Sequence, residues 1–240
     1  MTKKTQAKRS APVSPAHANT GSSSTPLRRP QAQRSADTQA KLIDAAIACL
    51  HRVGYSATTV TMVAEEAKVS RGAMSHQFPA KTDLMLAVVE AVFEADAKYY
   101  QSTVMAKSPK QWVLDLPATV WEAVSRPSGT AVMEIMLASR SDSELADKLR
   151  AKQQAIDARS HDWIIERLAA AGLHDRPNGE AVHRLFVAAI RGLSMEALFR
   201  RDKADSENSL AVLGEILGLL YPARDTKSSK RKAPSKGKAH

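Results

Sequence analysis

One cysteine in 240 residues rules out an internal disulfide framework, since Cys49 has no partner in its own chain. A reducing compartment is expected, with Cys49 a small apolar residue on the first helix. Aromatic residues make up only 5% of the chain. Sheets favour them on their pleated faces, whereas helices packed through Ala, Leu and Val need few, so the shortage points to helices. No run reaches the ~18 apolar residues of a membrane span, and no apolar segment of a secretory signal is present. A cytoplasmic location and no membrane partner are therefore expected. Chemistry is scarce too: there is no glycine-rich phosphate loop, no nucleophile elbow, no HExxH and no cysteine pair. Glu180 and His183 form an E-x-x-H unit, but a di-iron bundle needs two such units and two further glutamates. No catalytic residue, no metal and no cofactor is expected.

Charge is present in quantity and unevenly placed. The net charge is +10, yet residues 1–34 carry +7 with no acid and residues 224–240 carry +6, which leaves the body between them at −3. The basic character thus belongs to the two ends. Both are rich in Ser, Pro and Lys and poor in large apolar residues, too poor to offset the entropy of ordering, so each is expected to be disordered. Such tails either attract phosphate without reading sequence or serve as solubilising arms. Hydrophobic residues make up 43% of the chain, enough for a sizeable core in the body.

The stretch 58–81, TTVTMVAEEAKVSRGAMSHQFPAK, reads as helix, tight turn, helix, stop, and the start of another helix. Thr58 or Thr59 can cap the first helix by accepting from its unpaired first-turn amides, with Val60, Val63, Ala64 and Ala67 inward. The turn falls at Ala67-Lys68-Val69, and Lys68 is expected in a left-handed conformation at a cost of about 1 kcal/mol. Ser70 caps the second helix, where Met74 and Phe78 point inward and Arg71, Gly72, Ser75 and His76 share the outward face. Pro79 stops it. A small, polar, basic face of this kind suits a DNA major groove, and Ala64 and Met74 sit where paired helices of a helix-turn-helix must pack closely.

Around this stretch, Leu42-Ile43-Asp44-Ala45-Ala46, Gly54-Tyr55, Val69 to Met74, His76 to Lys81 and Asp83-Leu84 follow in an order and spacing that resembles the N-terminal DNA-binding domain of the TetR family of transcriptional regulators. The resemblance covers residues 36–93. It implies that Arg71, Gly72, Ser75 and His76 touch bases and phosphates beside the capping Ser70, and that Thr58, Thr59 and Lys81 hold phosphate. Ser75 is shorter than the aromatic residue common at its place in that family, and Lys68 replaces the usual turn glycine. Double-stranded DNA, a second copy of the chain and a small-molecule effector are the partners the resemblance implies.

The remainder reads as helical throughout, which makes the chain all-α: a disordered arm to residue 34, a three-helix DNA-binding domain at 35–93, a helical ligand-binding and dimerisation domain at 94–223, and a tail at 224–240. From Leu84 to Phe93 every residue except Glu90 is apolar, as in a helix with neighbours on all sides that links the two domains. Trp112, Trp121, Met133, Met136, Phe186 and Met195 are either plain core or the wall of an effector cavity. Leu193, Leu213, Gly214, Leu217 and Gly218 are expected at a two-fold dimer interface, because the last two helices carry more apolar residues than one core face needs and the two glycines allow close helix approach. The function expected is a repressor released from a palindromic operator by its ligand. A tail-driven DNA-compacting protein and, more remotely, a helical metal oxidase are the alternatives.

Overall fold

The computed structural model describes residues 31–105, 107–172, 178–199 and 203–222. Among them the regular elements are nine helices: α1 (Gln31–Ala57), α2 (Val60–Glu66), α3 (Arg71–Gln77), α4 (Lys81–Met105), α5 (Pro109–Val124), α6 (Pro127–Ala138), α7 (Ser143–Ala170), α8 (Gly179–Glu196) and α9 (Lys203–Leu220). The basic ends expected to be disordered lie outside the described residues, except that the arm was expected to run to residue 34. Residues 31–34 instead open α1, where Thr38 donates to the Arg34 carbonyl and Gln33 to Asp37, bonds that close the first turns. Ala, Gln and Arg are good helix formers once a turn exists to extend.

Local signals set most of the helix ends. Ser108 accepts from the Gln111 amide at the start of α5, and Asp142 from the Leu145 amide at the start of α7, each satisfying an amide without a helical partner. Pro127 occupies the first turn of α6, where its missing N–H costs nothing. At Gly54 the helix α1 breaks with φ 74 and ψ 174.

Two apolar clusters form the interior. The first joins α1 to α4 with α6 and the first half of α7: Leu42, Leu50, Met74, Phe78, Leu84 and Met85 meet Ile135, Leu145 and Leu149. Each large aliphatic side chain buried there contributes roughly 1.5–3 kcal/mol. The second joins α5, the end of α7, α8 and α9 around Trp112, Ile164, Phe186 and Leu217. The division between clusters therefore does not run at residue 93. Helix α6 packs on α1 and α4 and helix α7 on α4, and α1 meets α6 more extensively than any other helix. Helix α4, apolar on nearly every side, is also held to α7 by the ion pairs Asp83–Lys148 at 3.0 Å and Glu90–Lys152 at 2.9 Å.

Candidate nucleic-acid interface

The helix-turn-helix is built by backbone bonds that its own sequence arranges. Thr59 is the N-cap of α2, its Oγ1 accepting from the Met62 amide at 3.2 Å. At the other end the Val69 amide donates to the Ala64 carbonyl at 2.9 Å and the Lys68 amide to the Glu65 carbonyl at 3.1 Å. Those two bonds close a Schellman motif, which requires a left-handed residue between them. Lys68 takes that conformation at φ 53, as the sequence predicts. Ser70 then caps α3, accepting from the Ala73 amide at 3.2 Å.

With Met74 and Phe78 buried beneath it, α3 turns Arg71, Gly72, Ser75 and His76 outward together, and all four are exposed. Nothing lies within 4 Å of where a Cβ at Gly72 would be. The missing side chain therefore leaves room outside the protein, not inside it. Gln77 donates to the Ser35 hydroxyl at 2.7 Å, tying the end of α3 to the start of α1, and Arg52 pairs with Glu66 at 2.9 Å, tying α1 to α2.

One residue expected on phosphate is placed differently. Thr58 is only 1% exposed, and its hydroxyl donates to the Gly54 carbonyl at 2.7 Å. It has no surface for phosphate, because the cap is Thr59 and a one-residue shift in phase turns Thr58 inward. Lys81, at the start of α4, is half-buried. Its Nζ donates to the Tyr55 carbonyl at 2.7 Å and lies 3.9 Å over the centre of the Tyr55 ring. Burial pushes the Lys81 ammonium below its ordinary range, with Asp142 acting in the opposite direction. Tyr55 in turn donates through its hydroxyl to Asp142 at 3.4 Å. Tyr55 thus brackets Lys81; the sequence carried a signal for this only in the place of Tyr55 after Gly54.

Residues 42–88 match the family model described as bacterial regulatory proteins, tetR family, and residues 112–219 match the one described as tetracyclin repressor-like, C-terminal domain. The HTH-type transcriptional regulator CymR of Pseudomonas putida is 30% identical over 182 residues, which span 74% of this chain and 88% of that protein. The chain belongs to the TetR family. GusR of Salmonella enterica superposes with a TM-score of 0.61 over 81% of this chain and 98% of its own, at 21% identity. The multidrug binding protein EbrR, solved with imidazole, superposes at 0.54 over 79% and 97%, also at 21% identity. This TetR-family protein is a DNA-binding transcriptional regulator, and the compacting and oxidase readings gain no support from its relatives.

In this TetR-family chain an apolar cavity with about 40 Å³ of free space lies between α5, α7, α8 and α9, walled by Val113, Leu116, Ile164, Phe186, Leu217 and others, with His183 also in its wall. Of the six residues expected to line a cavity, Phe186 does. Trp112 is buried one residue away from the wall and meets Trp163 edge-on with ring centres 5.2 Å apart. Trp121, Met133, Met136 and Met195 do not line it. Met136 packs instead against the first cluster, Met133 lies with its sulfur 3.9 Å from the Ser194 hydroxyl, and Met195 reaches solvent. Their apolar, adaptable character made these residues candidates, but their helices turn other faces to the cavity. His183 is pushed below the ordinary imidazole range by burial and by His161, with Asp157 opposing and Arg191 and Arg184 adding to it. Glu180 pairs with Arg184 at 2.6 Å, so the E-x-x-H unit is directed two ways rather than at one metal.

The expected glycine face is also corrected. A Cβ on Gly214 would stand 3.4 Å from the Leu114 carbonyl oxygen, and one on Gly218 would stand 3.2 Å from the Leu114 side chain. Both glycines serve the packing of α9 on α5 within one chain. Leu217 is buried and Leu213 packs against the same cluster, while Leu193 is half-buried. What α8 and α9 leave outside is another set: Leu185 at 67%, Phe199 at 85% and Leu219 at 78% exposed, with Leu198, Val212 and Ile216 also exposed.

Proposed function

We propose that this protein is a homodimeric repressor that grips a palindromic operator with one α3 in each of two major-groove half-sites and lets go when a small, largely apolar effector enters the cavity of the second cluster. Arg71, Gly72, Ser75 and His76 face bases and nearby phosphates, and Thr59, Ser70 and Lys81 hold the phosphate backbone. The observation that carries this reading is the outward polar face of α3, held in place by Met74 and Phe78 and by three capped or bonded ends. Helix dimensions fit a major groove, and its outer side chains reach base edges.

The dimer reading rests on the uncovered apolar side of α8 and α9. On α8, Leu185, Gly192 and Met195 recur at helical spacing and are exposed, as is Phe199 just past its end; on α9, Val212, Ile216 and Leu219 do the same. A two-fold partner covers both stripes at once, as regulators of this family act as dimers. The effector reading rests on a wall that is almost wholly aliphatic, which admits an apolar molecule, with His183 as a polar point of attachment. An effector larger than the present space must part α5 from α8 or α9, and α5 also meets α4, which begins at Lys81. Such a path joins effector to DNA through a shift in population between two arrangements. As a DNA-bound regulator the protein works in the cytoplasm at the nucleoid, with no catalytic step of its own. Domain limits close to 35–93 and 94–223 belong to the same reading, with α6 and the start of α7 as the seam.

Selection of bound DNA from a random pool by the full chain, followed by footprinting, tests the reading. The expected result is one short palindrome, protected over two half-sites about one helical turn apart. Recovery of unrelated sequences protected without boundaries would refute a sequence-reading regulator.

A further inference from the structure

Helix α6 holds a single charged residue, Glu134, in the sequence PSGTAVMEIMLA. Its carboxylate does not go to a cation: among the described residues no Lys or Arg forms an ion pair with it. It accepts instead from the backbone amide of Tyr55 at 2.9 Å, a residue 79 positions earlier in the chain. The Tyr55 amide follows the break at Gly54, where φ is 74 and ψ 174. A Cβ on Gly54 would stand 3.0 Å from Glu134 Oε2, so glycine provides both the left-handed turn and the room for the carboxylate. A bond between a charged acceptor and an amide in a half-buried seam is among the stronger kinds.

The same two residues hold the DNA-facing parts from their other side. The Gly54 carbonyl takes the hydroxyl and amide of Thr58, just ahead of the α2 cap. The Tyr55 carbonyl and ring take the Lys81 ammonium. Residues 54–55 are thus fastened to α6 on one side and to the start of α2 and of α4 on the other. We propose that Glu134 is a positioning residue for DNA binding: from α6 it fixes the Gly54–Tyr55 break, and through it the place of Lys81 and Thr59, so that DNA affinity depends on where α6 lies. This rests on the reading of Lys81 as a phosphate contact.

The test uses the full chain and an operator selected with the unaltered protein. Glu134→Ala, Glu134→Asp, Glu134→Gln, Lys81→Ala and the Glu134→Ala/Lys81→Ala pair are compared for affinity across salt, with helicity and light scattering as controls. Glu134→Ala is expected to lose ~10-fold in affinity, the usual effect of removing a charged hydrogen bond. The slope of log affinity against log salt should fall by ~0.9, as if one phosphate contact were gone although Lys81 is present. Glu134→Asp, charged but too short, should behave like alanine. Glu134→Gln keeps the accepting oxygen at full reach and should stay near the unaltered protein. The double variant should be no weaker than Lys81→Ala alone, because both changes remove one contact.

If the alanine variant fails to fold, the Asp and Gln variants decide, since Asp keeps the charge without the reach and Gln the reach without the charge. Unaltered affinity and slope in Glu134→Ala or Glu134→Asp, beside a weakened Lys81→Ala, would overturn the role of Glu134, as would additive losses in the double variant. An unweakened Lys81→Ala would instead overturn the phosphate contact on which the role depends.

Discussion

The two apolar clusters differ in how complete they are. The first, around Leu42, Leu84 and Ile135, is continuous from α1 to the middle of α7 and leaves its polar groups bonded, down to the Tyr55 amide on Glu134. The second, around Trp112 and Phe186, surrounds a cavity, keeps Trp112 Nε1, His161 Nδ1 and Arg167 Nε buried without a hydrogen-bond partner among the described residues, and leaves Phe199 and Leu219 outside. A unit that must hold helices at fixed distances from DNA gains from dense packing. On the reading proposed above, the second must admit a molecule and a second subunit and so keeps surface in reserve.

The largest effect should come from the reserve surface. Phe199→Asp with Leu219→Asp places like charges where two copies would meet, so light scattering should give a monomer. Operator affinity should fall by ~10²–10⁴-fold, because the second half-site contact is no longer linked to the first. A variant that stays dimeric with full affinity would put the partner elsewhere. Next comes packing density. Leu84→Ala in the first cluster should cost ~4–5 kcal/mol in urea unfolding at fixed protein concentration, and Leu217→Ala, beside the existing cavity, only ~2–3 kcal/mol. Equal costs would erase the contrast between the clusters.

Base reading is a smaller effect. Arg71→Ala should cost ~1–3 kcal/mol in operator binding and relax preference at one position per half-site, measured on a set of operator variants. A loss equal on all sequences would make Arg71 a phosphate contact only. The smallest effect concerns Asp96 on α4, whose carboxyl burial pushes up to about 6, with Arg126 and Arg191 opposing. Folded protein then holds this proton more tightly than unfolded chain. Its stabilising contribution is full below the unfolded value of 3.8 and is lost as pH rises through about 6. The gain of Asp96→Asn over the unaltered protein in thermal unfolding should therefore widen by ~2–4 °C between pH 5 and pH 7.5. A gap that narrows with rising pH would mean that the two arginines dominate.

How far the sequence could be read depended on the range of the interaction. The helix-turn-helix was legible because its determinants lie within a few residues of what they control: Thr59 and Ser70 cap the next turn, Lys68 takes the left-handed place between the Ala64 and Val69 bond partners, and Met74 and Phe78 share a face by spacing alone. The errors arose where a face had to choose among neighbours. Gly214 and Gly218 share a side of α9, but the pattern cannot say whether α5 or a second chain lies against it. The methionines of α6 look like any adaptable wall until the helix is placed. Thr58 and Thr59 differ by one residue, which in a helix start separates a buried hydroxyl from an exposed one.

The sequence by itself therefore determined the all-α class, the capped recognition helix, the turn, and the polar face meant for DNA, since each follows from propensity and bonding between near neighbours. Tertiary structure alone decided that α6 and the first half of α7 complete the first core, that Glu134 reaches Tyr55 across 79 residues, and that Phe199 and Leu219 are left uncovered beside α8 and on α9. Those outcomes depend on which of several apolar faces meet, and packing between distant segments sets that by shape, which no local spacing encodes.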